Sequence, residues 1–493
     1  MIQVGIDPLL IYLEQNLSGI PIMSLPVLGP SAENDEYPLP VLKETFKFMA
    51  YCDDVKPAIT SINEFFIADH GAALFEGAAG TRLHRDLSSN KCKFLALGKW
   101  RQELSQDMIP TPYMKLTDTL DMVGVQLCAN WSETRRKNGE SVRHKIQKLI
   151  GCWRSGKFLP LTQRPFSANT YALSKIWFRT GCVNLRESDF KVVNSSVKKW
   201  LYADLFFKPE EMVLFRKVGD GGLGLTSCRH KSLAHLIRTF LELAANPAYV
   251  DSLYLNILYR TYVLEEGCIV PHLPPYYNKH FFDKIIQAKK AGYNIIKMTV
   301  KQWYTFLMEQ DVTMESGNQQ EKTLRPCRVE KLYSDVQWKT VWANIRMSFL
   351  GNCSKTFAWK LAHDLLPTEE RLGAVGKNIQ NVCKFSCAGN PVGNLEHCLF
   401  HCQLSEDVGT WLIDLHKTVN PEATSASILR LDLIENCELL YLSIKTFQFC
   451  WTKRLAGKRV TVIETIAYIV SDVRSFGGTR HGHLIAKVEN LLR

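Results

Sequence analysis

The sequence predicts an α+β chain that is mostly helical, with a small antiparallel sheet confined to its first 130 residues. Two observations predict this. Apolar residues recur at helical spacing along most of the chain, whereas short strand-like runs appear only at 46–51, 92–97 and 120–127. At 493 residues, 46% of them hydrophobic, the chain is too long for one core and apolar enough to build several, on the order of three domains.

The elements follow in order. Ile6, Leu9, Leu10, Leu13 and Leu17 define one face of an opening helix, which Asp7 and Pro8 start and Gly19 stops. A loop, LGPSAENDEYPLP, leads to the strand FKFMAY. Pro57 restricts any returning strand to a few residues, because it cannot donate a ladder hydrogen bond. Ile62, Phe65, Phe66 and Phe75 then resume helical spacing, and single strands are expected at Cys92–Leu97 and Leu120–Leu127.

From Trp131 onward helices dominate. Between Trp131 and Pro165 stand Arg135, Arg136, Lys137, Arg143, Lys145, Lys148, Arg154, Lys157 and Arg164, with His144 beside them and only Glu133 and Glu140 opposing. Val142, Ile146, Leu149, Ile150 and Trp153 supply the apolar face, so His144, Lys145 and Lys148 are expected outward. The formal net charge of +11 is thus clustered, which suits a phosphate backbone; a merely solvated helix face is the alternative. Segments 271–279 and 313–328 read as linkers, and no internal repeat is evident.

Fifteen cysteines, an odd count without a secretory leader, point to a reducing compartment where thiols stay free or bind metal, with no disulfide-linked partner expected. No uninterrupted apolar run reaches about 18 residues, so no membrane span is expected.

Two clusters carry chemistry. In MAYCDDVKPAIT the adjacent carboxylates of Asp53 and Asp54 sit between apolar flanks, where their repulsion and desolvation need an offset; the stretch reads either as a metal site or as only a polar turn. Farther on, NVCKFSCAGNPVGNLEHCLFHC sets Cys383 and Cys387 in a Cys-x3-Cys pair ahead of His397 and Cys402 in a His-x4-Cys pair. Thiolates and imidazole in that number suit tetrahedral Zn²⁺. Cys398 and His401 compete as ligands, because His397 and His401 would share one face of an α-helix.

Tyr51-Cys52-Asp53-Asp54 matches the Tyr-x-Asp-Asp box of reverse transcriptases, and the segments after the box keep an order similar to that of the non-LTR (LINE-type) retrotransposon enzymes. SSNKCKFLALG and MKLTDTLDMVGVQL resemble the lysine-bearing motif and the primer-grip strand. VRHKIQKLIGCWRSGKFLPLTQRPFSANTYALSKIWF resembles the thumb, with Trp153, Leu161, Arg164 and the Ser174-Lys175-Ile176-Trp177 run. Gly221, Gly222 and Gly224 match a Gly-Gly-x-Gly signature, and the last third resembles the zinc-knuckle region. The resemblance implies a partial polymerase palm over 1–130, a thumb over 131–210, a helical connector over 211–312 and, after the linker, a helical C-terminal region over 329–493 with a knuckle at 383–402.

It also implies roles. Asp53 and Asp54 would hold Mg²⁺ for nucleotidyl transfer by two metals. Tyr51 and Cys52 would lie along an RNA template and DNA primer, as would Arg143, Lys145, Lys148, Arg154 and Lys157. Lys91, or else Lys93, would protonate the leaving pyrophosphate. The family's further metal-binding aspartate, on a strand well before the box, has no counterpart here. Asp7, Glu14, Glu33, Asp35, Glu36 and Glu44 are expected on the opening helix, in the loop or near it, and the chain is expected to begin within the palm. Little or no polymerase activity is therefore expected from it alone, with binding of RNA or hybrid as the alternative role.

Overall fold

In the computed structural model the described residues are 12–13, 15–17, 20–21, 45–46, 48–51, 54–79, 91–122, 124–153, 159–203, 205–245, 255, 258–259, 262–263, 277, 279–316, 319–324, 326–376, 380–475 and 486. The fold is mostly helical. Among the described residues the strands form five two-stranded pairings, four antiparallel and one parallel. Among the described residues no helix is long and apolar enough to cross a membrane, and the described cysteines are free thiols.

The chain divides into two compact units that interleave along the sequence. The first takes in Met1–Lys145, Lys175–Val193 and Cys228–Glu309, the second Ile146–Ser174, Asn194–Ser227 and Gln310–Arg493.

In the first unit, Phe48–Tyr51 pairs antiparallel with Asp54–Pro57, in the register Phe48↔Pro57 to Tyr51↔Asp54. Pro57 ends the ladder, as its missing N–H requires. The helix Ile62–Ala79 comes next; Phe65 is fully buried against Phe94, with ring centroids 4.9 Å apart. Leu13 and Leu17 pack with Ala68 and Phe75; Ile6, Leu9 and Leu10, the rest of the expected opening face, lie outside the described residues.

Two strand expectations change. Around residue 93 only Lys93–Phe94 is extended, paired parallel with Lys115–Leu116. The single strand expected at Leu120–Leu127 is a hairpin of Thr119–Met122 and Val125–Cys128, reversed beside Gly124 at φ 81°. Glycine adopts that left-handed conformation without the Cβ clash other residues suffer. The second core of this unit joins the helices Cys228–Ala245, Lys279–Lys290 and Val300–Val312 around Phe240, Phe281, Phe282 and Trp303.

In the second unit the expected linker at 313–328 proves structured: Thr313–Ser316 and Gln319–Leu324 form a hairpin, and the helix Arg328–Leu332 comes after it. Of the other expected linker, 271–279, only Tyr277 and Lys279 lie among the described residues. The Gly-Gly-x-Gly stretch is a packing knot. Gly221 has φ 77°, and a Cβ there would fall 2.3 Å from the Trp342 ring; one on Gly222 would fall 2.2 Å from the Arg216 carbonyl oxygen. The Gly221 carbonyl accepts hydrogen bonds from Trp359 Nε1 and His363 Nε2, each at 2.8 Å. The helices Glu406–Lys417 and Cys437–Leu455 pack against the His397–His401 turn of the Cys/His segment, and the helix Val462–Ser475 packs against both of them.

Candidate metal centre

Local backbone chemistry brings the four ligands together. Val382 and Val392 form an antiparallel bridge, and the Cys383 N–H donates to the Pro391 carbonyl over 2.9 Å, closing a small loop. Ser386, Gly389 and Asn390 take positive φ within it, which lets the chain curl between its two cysteines and back. His397–His401 is a single π-helical turn, and the Cys402 N–H donates to the His397 carbonyl over 2.7 Å. An i→i+5 turn carries one residue more than an α-turn, so His397 meets Cys402 rather than His401.

The Sγ atoms of Cys383, Cys387 and Cys402 lie 3.7 to 3.8 Å apart. Zn–S bonds of about 2.3 Å at tetrahedral angles put sulfurs about 3.8 Å apart. One ligand atom from each of these cysteines and from His397 fits within 4.8 Å of the others, and all four residues are buried. His397 Nε2 has no hydrogen-bond partner among the described residues, although it is buried. A buried nitrogen without a partner is costly, and a metal ion would satisfy it. The cluster could hold a metal ion such as zinc, and four protein ligands leave no open coordination position for catalysis.

The two competing ligands are resolved. Cys398 is not one of the four gathered residues: its thiol donates to Glu369 Oε2 over 3.8 Å, and burial keeps it protonated. His401 is 54% exposed, with Nε2 3.9 Å from Glu396. Burial also pushes the Cys402 thiol up to about 12, whereas Cys383 sits below its ordinary value. Burial opposes that second shift, and hydrogen bonds from the Phe385 N–H and the Arg454 guanidinium outweigh it. Burial, then the charge of Arg454, holds His397 neutral, the form that can donate a lone pair to a metal.

Sequence reasoning missed Arg454 and Glu369. Arg454 Nη1 lies 3.0 Å from Cys402 Sγ, and Nη2 lies 2.8 and 3.0 Å from the two oxygens of Glu369 and 3.6 Å from Cys383 Sγ. A Cβ on Gly393 would fall 2.6 Å from Glu369 Oε2, so glycine is what leaves room for that carboxylate. No spacing signal could have found Arg454, which lies far down the chain on another helix.

The other expected site residues are dispersed. Tyr51 and Asp54 are the terminal pair of the first hairpin; Cys52 and Asp53, which join its strands in sequence, lie outside the described residues, as do Arg154 and Lys157. Lys91 is exposed, and Lys93 lies on the short parallel strand. Lys145 and Lys148 are exposed on the helix Trp131–Cys152, as their spacing suggested. Arg143 on the same helix is half-buried, its Nε 3.1 Å from the buried carboxylate of Asp189, which also takes Arg186. Its guanidinium is committed within the protein. In comparison with known proteins, the chain matches no family model and no curated protein.

Proposed function

We propose that the chain is part of a non-LTR (LINE-type) reverse transcriptase, binding RNA and RNA–DNA hybrid through the exposed basic face of the helix Trp131–Cys152 and carrying a structural zinc at Cys383, Cys387, His397 and Cys402. The observation that carries this reading is the antiparallel pairing of Phe48–Tyr51 with Asp54–Pro57 in the register Tyr51↔Asp54. The first and last residues of the Tyr-x-Asp-Asp box thus end two paired strands, and in this reading the box between them carries two neighbouring carboxylates that share divalent ions. In this reading Asp53 and Asp54 take Mg²⁺, Lys91 serves the leaving group, and the protein works in cytoplasm and nucleus. The palm and thumb correspond to 1–130 and 131–210.

In the family that this chain resembles, two-metal transfer draws on a further aspartate from a strand well before the box. The acids ahead of the box in this sequence, from Asp7 to Glu44, are expected on a helix or in a loop. By itself, then, the chain binds hybrid and extends a primer weakly or not at all. Two measurements test this: fluorescence anisotropy of a labelled RNA–DNA hybrid against salt, and primer extension with Mg²⁺ or Mn²⁺. Expected is binding that weakens steeply with salt, with no extension. Salt-independent or undetectable binding overturns the nucleic-acid reading. Extension abolished by Asp53→Asn overturns only the inactivity.

A further inference from the structure

We infer that Arg454, held in place by Glu369, is a built-in counter-charge for the Cys3His centre, fixing its thiolates and slowing the loss of the metal. The inference rests on the zinc reading above. Three thiolates and a neutral imidazole around a divalent cation leave one net negative charge. That charge is buried: Cys383, Cys387 and Cys402 are 4%, 7% and 0% exposed. An uncompensated charge in such a place is costly, and a neighbouring cation offsets the cost.

Arg454 is placed to be that cation. It is itself buried, with Nη1 on Cys402 and Nη2 shared between Cys383 and Glu369. The Phe385 ring, from between the first two cysteines, covers the guanidinium at 4.8 Å from its carbon to the ring centroid. Charge-assisted N–H···S contacts draw electron density from the sulfurs, so the thiolates bind protons and electrophiles less readily while remaining on the metal. Glu369 orients the fork but competes for the same charge. This gives the two partners opposite expected effects: removing Arg454 strips the thiolates of their cation, whereas neutralising Glu369 leaves that cation wholly to them.

The test uses the zinc-loaded full chain. Transfer of zinc to a chromogenic chelator and alkylation of the cysteines by iodoacetamide are followed in the wild type, Arg454→Met, Arg454→Lys and Glu369→Gln, with far-ultraviolet circular dichroism as the check on folding. Arg454→Met is expected to release zinc about tenfold or more faster, with faster alkylation. Arg454→Lys is expected to fall between it and the wild type, and Glu369→Gln to release zinc no faster than the wild type. Should Arg454→Met not fold, the direction of the Glu369→Gln effect still decides. If both Arg454→Met and Glu369→Gln accelerate release equally, the pair is only a structural ion pair and the inference is overturned. Release unchanged in Arg454→Met overturns it as well. A wild-type chain that holds no zinc overturns the zinc reading itself, a separate outcome.

Discussion

The N–H of Cys402 donates to the carbonyl of His397 across five residues, at 2.7 Å, and this one bond decides which side chains form the Cys3His cluster. In an α-helix residues four apart share a face, which would have paired His397 with His401. The extra residue of the π-turn shifts the second ligand to position 402. Moving the thiol back by one place should therefore fail. Cys402→Ser is expected to lose zinc, and the double variant His401→Cys with Cys402→Ser not to regain it, measured as metal per chain after gel filtration. Full zinc content in the double variant would contradict the π-turn.

The same turn depends on a close backbone approach. A Cβ on Gly409 would fall 2.5 Å from the Phe400 carbonyl oxygen and 2.6 Å from its Cα. Backbone atoms cannot swing aside as a side chain can, so Gly409→Ala must push the helix Glu406–Lys417 off the turn. A loss of about 1–3 kcal/mol is expected from the urea midpoint, the usual cost of overpacking, together with weaker zinc retention. An unchanged midpoint would mean that the two segments do not meet so closely.

Acid should unfold the protein through two buried histidines. Burial holds His363 at about 4, against a bond to the Gly221 carbonyl that works the other way, and burial holds His416, bonded to Ser443, at about 4 as well. Between those values and the ordinary 6.5 the unfolded chain binds protons that the folded chain refuses. Stability is then complete above about pH 6.5 and falls as pH drops toward 4, by on the order of a few kcal/mol for the pair. Urea midpoints from pH 7.5 to 4.5 would show it, and His416→Asn should flatten the slope. A wild-type curve flat across that window contradicts the burial of both rings.

The basic helix should separate into anchoring and binding residues. Asp189 is 1% exposed between the guanidiniums of Arg143 and Arg186, and a Cβ on Gly139 would fall 2.3 Å from its carboxylate. Asp189→Asn is expected to destabilise by on the order of 2–3 kcal/mol, less than a fully buried pair would because both arginines reach solvent. Lys145→Ala with Lys148→Ala should leave stability unchanged and lower the salt dependence of hybrid binding, by a slope of about 0.9 for each phosphate that is no longer neutralised. Stability and binding falling together in the lysine variants would contradict this division.

Part of this was legible in the sequence because it is local. The two short strands on either side of the acidic box were legible since apolar residues flank it and Pro57 limits the return. The four ligands read as ligands because thiols and imidazoles at short, paired spacings have few other uses. What escaped notice is either polar or distant. The hairpin at Thr313–Leu324 carries no apolar alternation, so nothing distinguished it from a linker. The hairpin at Thr119–Cys128 carries apolar residues along both arms, Leu120 and Met122, then Val125 and Leu127, and so reads as one strand although it reverses beside Gly124. Arg454 with Cys402, and Arg143 with Asp189, are brought together only by tertiary packing, which no spacing rule reaches.

Zinc K-edge X-ray absorption on the loaded full chain tests most directly whether Cys383, Cys387, His397 and Cys402 form one metal centre. Three sulfur neighbours at about 2.3 Å and a single nitrogen at about 2.0–2.1 Å are expected. Four sulfurs, drawing in Cys398, or two sulfurs with two nitrogens, drawing in His401, would contradict it.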